Sequence, residues 1–423
     1  MFKFIHTADI HLDSPLRGLS RYEGAPVDLL RNATRQAFTK LLDIALEEKV
    51  SFVIIAGDLY DGDWRDFNTG LFFVSEMNRL RQKGIRCFLL SGNHDAESQL
   101  TKNLPLPDNV SVFGSRTAET FTVDDIHVVL HGQSFKQRDI FENLAGDYPD
   151  PISGAFNIGV LHTGLEGYAA HAKYAPCTLN QLKAKGYDYW ALGHIHQREV
   201  LNEMPHIIFP GNLQGRHIGE QGAKGAALVS VKDGSVAEID WVYPDVVRWI
   251  FVEIDLTSCH SREEALGIFE ETVQAVVEQE AEGRTLAARL LFTISAELHH
   301  ALMQEETLFL AELQSLALGN HGEALWIEKV RFHVAPPREQ VFQAVHHDAV
   351  SELQDMLAQA ADDPDLMNKI SKDLEVLVSR LPAEIRANPD LELVNYLKEK
   401  KPEKLIEEVT PFLVSSLLEF RRH

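Results

Sequence analysis

Five short clusters of potential metal ligands punctuate the first half of the chain, and their order constrains the fold more than any other feature. They are Asp9 and His11, Asp58, Asn93, His162, then His194 and His196. Each cluster closes a run of apolar, β-branched residues and opens a turn: Phe4-Ile5 precede Asp9, and Phe52-Val53-Ile54-Ile55 precede Gly57-Asp58. Runs of that composition read as strands, so the ligands are expected at strand ends.

Residues 1–245 alternate strand-like runs (52–56, 85–90, 127–130, 156–161, 189–192, 206–209, 226–231) with helical stretches such as 31–48 and 70–82, an α/β pattern. In the first of these helices Ala37, Leu41, Ile44 and Ala45 recur at spacings of three and four, which gives one face to bury against a sheet. Around Val242-Tyr243-Pro244 the pattern restarts, and 249–335 read strand, helix, strand, helix, strand. The expected elements there are 249–256, a helix after Ser261 carrying Leu266, Phe269, Val273 and Val276, then 290–294, 305–318 and 325–334. Ser261 and Glu264 have the spacing of a capping box. Nothing in this segment's residue types carries chemistry of its own.

Ala335-Pro336-Pro337 then interrupts, and the remainder reads as helical and charged. Val341, Val345, Leu353 and Leu357 form one apolar face; Ile406, Val409, Leu413, Leu417 and Phe420 form another, with a kink expected at Pro411. Such faces pack on each other, pack on the preceding segment, or dock a partner's helices. The expected organisation is a main domain over 1–245, a small α/β capping domain over 246–335, and a helical, partner-binding C-terminal region over 336–423.

The 423 residues, 45% of them apolar, suffice for two or three cores. No stretch has the run of apolar residues that a membrane span needs, and the N-terminal residues run directly into a strand, so no membrane association and a cytoplasmic location are expected. Three widely spaced cysteines, Cys87, Cys177 and Cys259, fit neither a disulfide framework nor a zinc knuckle and read as buried small hydrophobes. The formal charge is −23: residues 1–245 hold 23 Lys and Arg against 31 Asp and Glu, and the rest hold 17 against 32. That balance argues against strong DNA binding by phosphate neutralisation alone.

Asp9-Ile10-His11 places a carboxylate and an imidazole two residues apart, so both can turn toward one ion at a strand end. Gly57-Asp58-Leu59-Tyr60-Asp61 adds a carboxylate able to bridge two cations. Gly92-Asn93-His94-Asp95 adds a neutral oxygen and an adjacent imidazole, and Gly193-His194-Ile195-His196 two more imidazoles. With 19 histidines in the chain, a lone one is better read as structural, and His6, His127, His131 and His171 receive that reading. The ordered set of seven donors, each after a strand, instead predicts a dinuclear metal site.

These motifs resemble those of the calcineurin-like metallophosphoesterases, and within them the SbcD-type DNA-repair exonucleases, with the YhaO branch most similar. The match rests on His6-Thr7-Ala8-Asp9-Ile10-His11-Leu12-Asp13-Ser14-Pro15, on Tyr187-Asp188-Tyr189-Trp190-Ala191-Leu192-Gly193-His194-Ile195-His196, and on Pro210-Gly211-Asn212-Leu213-Gln214-Gly215-Arg216. It covers the first domain and, in layout, the cap. The resemblance implies an α/β fold, a two-sheet metallophosphoesterase sandwich flanked by helices, followed by the cap and the C-terminal helical region. It also implies that Asp9, His11, Asp58 and His196 hold one divalent ion, that Asp58, Asn93, His162 and His194 hold the other, and that Asp58 bridges. A carboxylate, amide and imidazole set without thiolate suits Mn²⁺ best, with Fe or Zn as alternatives.

On the same implication two ions clamp the scissile phosphate and activate water, and His94 contacts the phosphoryl oxygen or protonates the leaving oxygen. Asp95 is expected to orient His94, or else to cap the local turn. Archaeal and eukaryotic relatives carry histidine where this chain has Asp61, whereas bacterial relatives resemble it; Asp61 is expected to hold a ligand histidine by hydrogen bond. Arg216 and Tyr174 are candidates for lining a DNA cleft, with salt bridging and core packing as the competing readings.

The function expected is that of a Mn²⁺-dependent 3′-to-5′ exonuclease and endonuclease acting on DNA ends with a coiled-coil ATPase of the SbcC or YhaN kind, with homodimerisation a further expectation. Alternatives are a protein phosphatase or cyclic-nucleotide phosphodiesterase with the same metal chemistry, or a non-catalytic scaffold tethering an ATPase to DNA. Phosphatases of this superfamily usually show Arg-Gly and a Gly-Asn-His-Glu cluster, where this chain has Gly62-Asp63 and Asp95.

Overall fold

A computed structural model describes residues 1–14, 26–61, 67–97, 105–165, 174–335, and 367, 369, 371 and 372. The apolar faces expected at Val341 to Leu357 and Ile406 to Phe420, with Pro411, lie outside the described residues, as do Pro336, Pro337 and His171. The chain divides into two compact units. The first comprises Met1–Phe251, Val276–Arg289 and His321–Glu328; the second comprises Val252–Ala275, Leu290–Asn320 and the described residues from Lys329 onward.

The first unit is built on two six-stranded sheets. One contains β1 (Phe2–Thr7), β2 (Phe52–Ala56), β3 (Arg86–Leu90), β4 (Val110–Val112), β11 (Ala226–Lys232) and β12 (Ser235–Val242), in the order β12-β11-β1-β2-β3-β4. The other contains β5 (Glu119–Val123), β6 (Val128–Gly132), β7 (Phe156–His162), β8 (Tyr189–Gly193), β9 (Glu199–Glu203) and β10 (His206–Phe209), in the order β5-β6-β7-β8-β10-β9. Strands β1 to β4 are mutually parallel, as are β6, β7, β8 and β10.

Alternation along the strands assigns their faces. Phe4, Phe52, Ile54 and Phe88 join Val128, Ile158, Val160 and Tyr189 in one core. The intervening Ile5, Val53, Ile55 and Leu89 join Phe38, Leu41, Phe73 and Met77, which belong to helices α1 (Val27–Glu47) and α2 (Phe67–Arg81). Trp190, Leu192, Ile207 and Phe209 join Tyr148 and Leu182, the latter on α3 (Leu179–Ala184). The result is the sandwich of two sheets flanked by helices. Helix α1 starts at Val27, four residues before the predicted start, with the carbonyl of Pro26 accepting its first helical bond from Leu30 N at 3.0 Å.

The remaining sheet has the order β13 (Val247–Leu256), β14 (Thr285–Ile294) and β15 (Leu325–Val334). Helix α4 (Arg262–Glu280) begins at the expected cap: Ser261 Oγ accepts from Glu264 N at 3.2 Å, while the Glu264 carboxylate accepts from His260 N at 2.7 Å, one residue before the box partner. A helix that the sequence reading did not predict, α5 (Ala296–Gln304), capped by Ser295 accepting from Leu298 N, precedes α6 (Glu306–His321), which is the helix predicted over 305–318. Within the first unit, Arg289 and Glu328 form a buried bidentate pair at 2.7 and 2.7 Å between β14 and β15. Cys87, Cys177 and Cys259 are free and buried. Among the described residues no helix is long and apolar enough to cross a membrane.

Candidate metal centre

Parallel strands direct their C-terminal ends the same way, so the loops beyond them share one edge. Asp9 and His11 follow β1, Asp58 follows β2, Asn93 and His94 follow β3, His162 ends β7, and His194 and His196 follow β8. Backbone bonds from Asp9 N to Gly57 O (3.0 Å), His11 N to Asp58 O (3.0 Å) and Leu12 N to Leu59 O (2.9 Å) carry the alignment of β1 with β2 past the strands. Asp9 ties the two sheets together by accepting from His194 N at 2.9 Å.

The turns that deliver these side chains are strained. Asp9, His11, Asp58 and His194 have φ of 50°, 48°, 52° and 104°. Left-handed backbone at a non-glycine residue costs about 1–3 kcal/mol and persists where the surroundings determine it. Gly57, at φ 100°, leaves no room for a side chain: a Cβ would lie 2.2 Å from His162 Nδ1. At Gly193 a Cβ would lie 2.0 Å from Ala56 O, so the sheets approach closely there only because the residue is glycine.

The donors form two groups. In one, Asp58, His162 and His194 converge. His162 Nδ1 lies 3.0 Å from the Ala56 carbonyl, which can only accept, so Nδ1 carries the proton and Nε2 presents a lone pair. That lone pair meets Asn93 Oδ1 at 2.9 Å, His194 Nδ1 at 3.2 Å and Asp58 Oδ2 at 3.4 Å; His194 Nδ1 is also 3.1 Å from Asn93 Oδ1. In the other group Asp9, His11 and His196 converge. His11 Nδ1 donates to Asp61 Oδ1 at 2.7 Å and His196 Nδ1 donates to Glu220 Oε1 at 2.7 Å, so both Nε2 atoms present lone pairs. They face each other at 3.2 Å, with Asp9 Oδ1 3.8 Å from His196 Nε2.

Converging lone pairs repel unless a cation lies among them. A divalent ion bonded at about 2.0–2.2 Å to N and O donors spaces neighbouring donors by roughly 3.0–3.5 Å, close to the separations here, so the residues fit two such ions. Protons are the competing cations. Burial pulls His162 down, but the Asp58 carboxylate more than reverses this and brings it to about 9. Burial would raise Asp58, yet His162, His11 and His94 hold it far below the usual carboxylate range.

His94 stands beside the donors with its side chain 37% exposed. Its backbone N–H donates to Asp58 Oδ1 at 2.9 Å, and its Nδ1 lies 3.2 Å from Asp61 Oδ1. Burial lowers its pKa, but Asp61 and Asp58 outweigh that and the net direction is upward. Asp61 therefore serves two imidazoles, His11 and His94. The expectation that Asp95 orients His94 is corrected: the Asp95 carboxylate accepts backbone N–H groups from Leu59 (3.1 Å), Tyr60 (2.8 Å) and Gly92 (3.0 Å), and so binds the Asp58 loop to the Asn93 loop. Burial and the neighbouring Asp58 push its pKa up to about 7.

Arg216 has its guanidinium engaged inside the protein, 2.9 Å from Glu220 Oε1 and 3.8 Å from Asp61 Oδ2. Tyr174 is half-buried, its ring 4.5 Å from that of His194. His6 and His131 are structural: His6 bonds to Tyr189 and Leu192, His131 to Thr120 and Asn157. Sequence reasoning missed Glu220, which lies in a loop with no periodicity; its position between two glycines, in the segment that contains Arg216 and His217, was the available signal.

A family model for calcineurin-like phosphoesterases matches residues 2–198, and one for the middle domain of metallophosphoesterase YhaO matches 249–335. The chain is 36% identical over 273 residues to the uncharacterized metallophosphoesterase YhaO of Bacillus subtilis (strain 168), covering 64% of this chain and 67% of that one. It is 24% identical over 269 residues to the DNA double-strand break repair protein Mre11 of Sulfurisphaera tokodaii, covering 60% and 65%. It is also 24% identical over 267 residues to the protein of that name from Sulfolobus acidocaldarius, covering 60% and 66%. The matches thus span just under two thirds of these two archaeal relatives.

Proposed function

Because the chain belongs to the calcineurin-like metallophosphoesterases, we propose that it hydrolyses phosphodiesters of DNA, as a Mn²⁺-dependent 3′-to-5′ exonuclease and endonuclease acting at DNA ends. Membership by itself implies a phosphoester hydrolase that uses divalent metal. The observation that carries the finer reading is His94: an accessible imidazole, biased toward its protonated form, whose Nδ1 is held by Asp61 beside both donor groups. Two divalent ions in those groups would supply positive charge to the phosphoryl oxygens and acidity to a water.

The chain's own residues supply the rest. Asp9, His11, Asp58, Asn93, His162, His194 and His196 would hold the ions. His94 presents Nε2 toward substrate and delivers a proton to the leaving oxygen, while Asp61 at Nδ1 fixes the tautomer. The names of the archaeal relatives support DNA as the substrate class. The net charge of −23 supports reliance on a coiled-coil ATPase of the SbcC or YhaN kind to hold the strand. The middle segment and C-terminal region are proposed to select the end and to bind that ATPase.

The test is turnover of end-labelled linear and hairpin DNA, of a small bis-ester and of a phosphomonoester, with Mn²⁺, Mg²⁺ or chelator. Preference for DNA and the bis-ester supports the proposal. Turnover of the monoester alone would reassign the chain as a phosphatase.

A further inference from the structure

Seven donors and His94 leave Glu220 and Arg216 without a task. Glu220 is only 6% exposed and its carboxylate is saturated. Oε1 accepts from His196 Nδ1 at 2.7 Å and Arg216 Nη2 at 2.9 Å; Oε2 accepts from Asn212 Nδ2 at 2.9 Å and Arg216 N at 2.8 Å. On its other side Arg216 Nη1 lies 3.8 Å from Asp61 Oδ2, and Asp61 Oδ1 accepts from His11 Nδ1 at 2.7 Å. His11 and His196 therefore face each other across the first donor group, each backed by a carboxylate, and one guanidinium touches both carboxylates. The second group is backed differently, since His162 leans on the neutral carbonyl of Ala56.

We infer that Glu220 is a positioning residue for His196 and that Arg216 ties Glu220 to Asp61, forming a brace that sets the tautomer and direction of both imidazoles of the first group. The inference rests on the proposal that this group holds an ion. A carboxylate at Nδ1 keeps the proton on that nitrogen and raises the basicity of Nε2, the atom that would bind metal. Arg216 lowers the repulsion of Asp9, Asp61 and Glu220 crowded around one point, and its planar fork suits a carboxylate on either side. Without Glu220 the His196 side chain, 28% exposed, is free to change tautomer and to swing outward.

The experiment is Mn²⁺ titration of the full chain by calorimetry and by the electron paramagnetic resonance signal of free Mn²⁺, with the melting temperature of each variant measured alongside. The wild type is expected to bind two ions. Glu220→Ala is expected to lose about 10- to 100-fold affinity for one ion and to keep the other. Glu220→Gln, which retains an acceptor for His196 Nδ1 and is less disruptive to folding, is expected to recover part of that loss. In Co²⁺-loaded protein the visible absorption of one ion should shift in Glu220→Ala. Wild-type affinity at both sites in a folded Glu220→Ala would overturn the inference, as would equal weakening of both sites in step with a lowered melting temperature. A wild-type chain that binds no Mn²⁺ would overturn the ion-binding proposal itself, and the brace with it.

Discussion

Replacing Gly57 by alanine perturbs the centre at one atom, and its cost follows from two separable quantities. Alanine at φ 100° incurs about 1–2 kcal/mol of left-handed strain. The new methyl would also lie 2.2 Å from His162 Nδ1 and 2.8 Å from Cγ, more than an ångström inside contact. Relief requires moving the His162 ring or the turn, at about 1–3 kcal/mol on the scale of overpacked cores. The sum is about 2–5 kcal/mol, or roughly 4–20 °C in melting temperature for a domain of this size. Gly84→Ala isolates the first quantity, because Gly84 has φ 72° and nothing within 4 Å of a built Cβ; it should cost about 1–2 kcal/mol only. Thermal unfolding of both variants, with Mn²⁺ titration, separates the two. Equal losses, with wild-type Mn²⁺ affinity in Gly57→Ala, would refute the claim that glycine makes room for His162.

Other consequences can be checked on the same protein. His94→Ala should lower DNA turnover by about 100- to 10,000-fold while both Mn²⁺ sites stay filled, measured by rate and metal content together; unchanged turnover would remove His94 from the chemistry. In chelated protein, His162 has a folded pKa of about 9, above the ordinary 6.5, so its stabilising contribution is complete below 6.5 and is lost as pH rises through 9. The melting temperature of that form should fall across this window, the Mn²⁺-loaded form should not follow, and loading should release protons detectable as a buffer-dependent heat. A flat profile in the chelated protein would contradict the assignment. Glu328→Leu, which removes the carboxylate from the buried pair with Arg289, should cost about 3–5 kcal/mol in urea unfolding, and the double variant with Arg289→Met should recover most of it.

The convergence of the seven candidate donors was legible because each lies at or just beyond a strand's end, and a strand's end fixes where the next few side chains go. The two-sheet layering came from the family resemblance and not from the strands themselves: Phe52–Ala56 is apolar and buried at every position, so its residues alone do not say which layer each face meets. Contacts set by side-chain direction were not legible either. Asp95 is the neighbour of His94 in sequence, yet it points back into three backbone N–H groups, and Asp61, more than thirty residues away, meets the ring instead. Glu220 was illegible because a loop between strands has no period to betray which residue turns inward. Edge strands β9 and β12 were missed for a related reason: Glu199, Asn202 and Glu203 in one and Ser235, Glu238 and Asp240 in the other interrupt the apolar run by which the interior strands were recognised.

The donors come from both sheets: β1, β2 and β3 provide Asp9, His11, Asp58 and Asn93, while β7 and β8 provide His162, His194 and His196. Each candidate ion would therefore be clasped by hands from opposite walls of the sandwich, and its affinity becomes a gauge of the distance between them. That spacing is set by Phe4, Phe52, Phe88 and Tyr189 in the shared core. Trimming one of these rings would detune the centre without touching a ligand, and filling the centre would in turn stiffen the core against such trimming, because linkage between two equilibria runs equally in both directions.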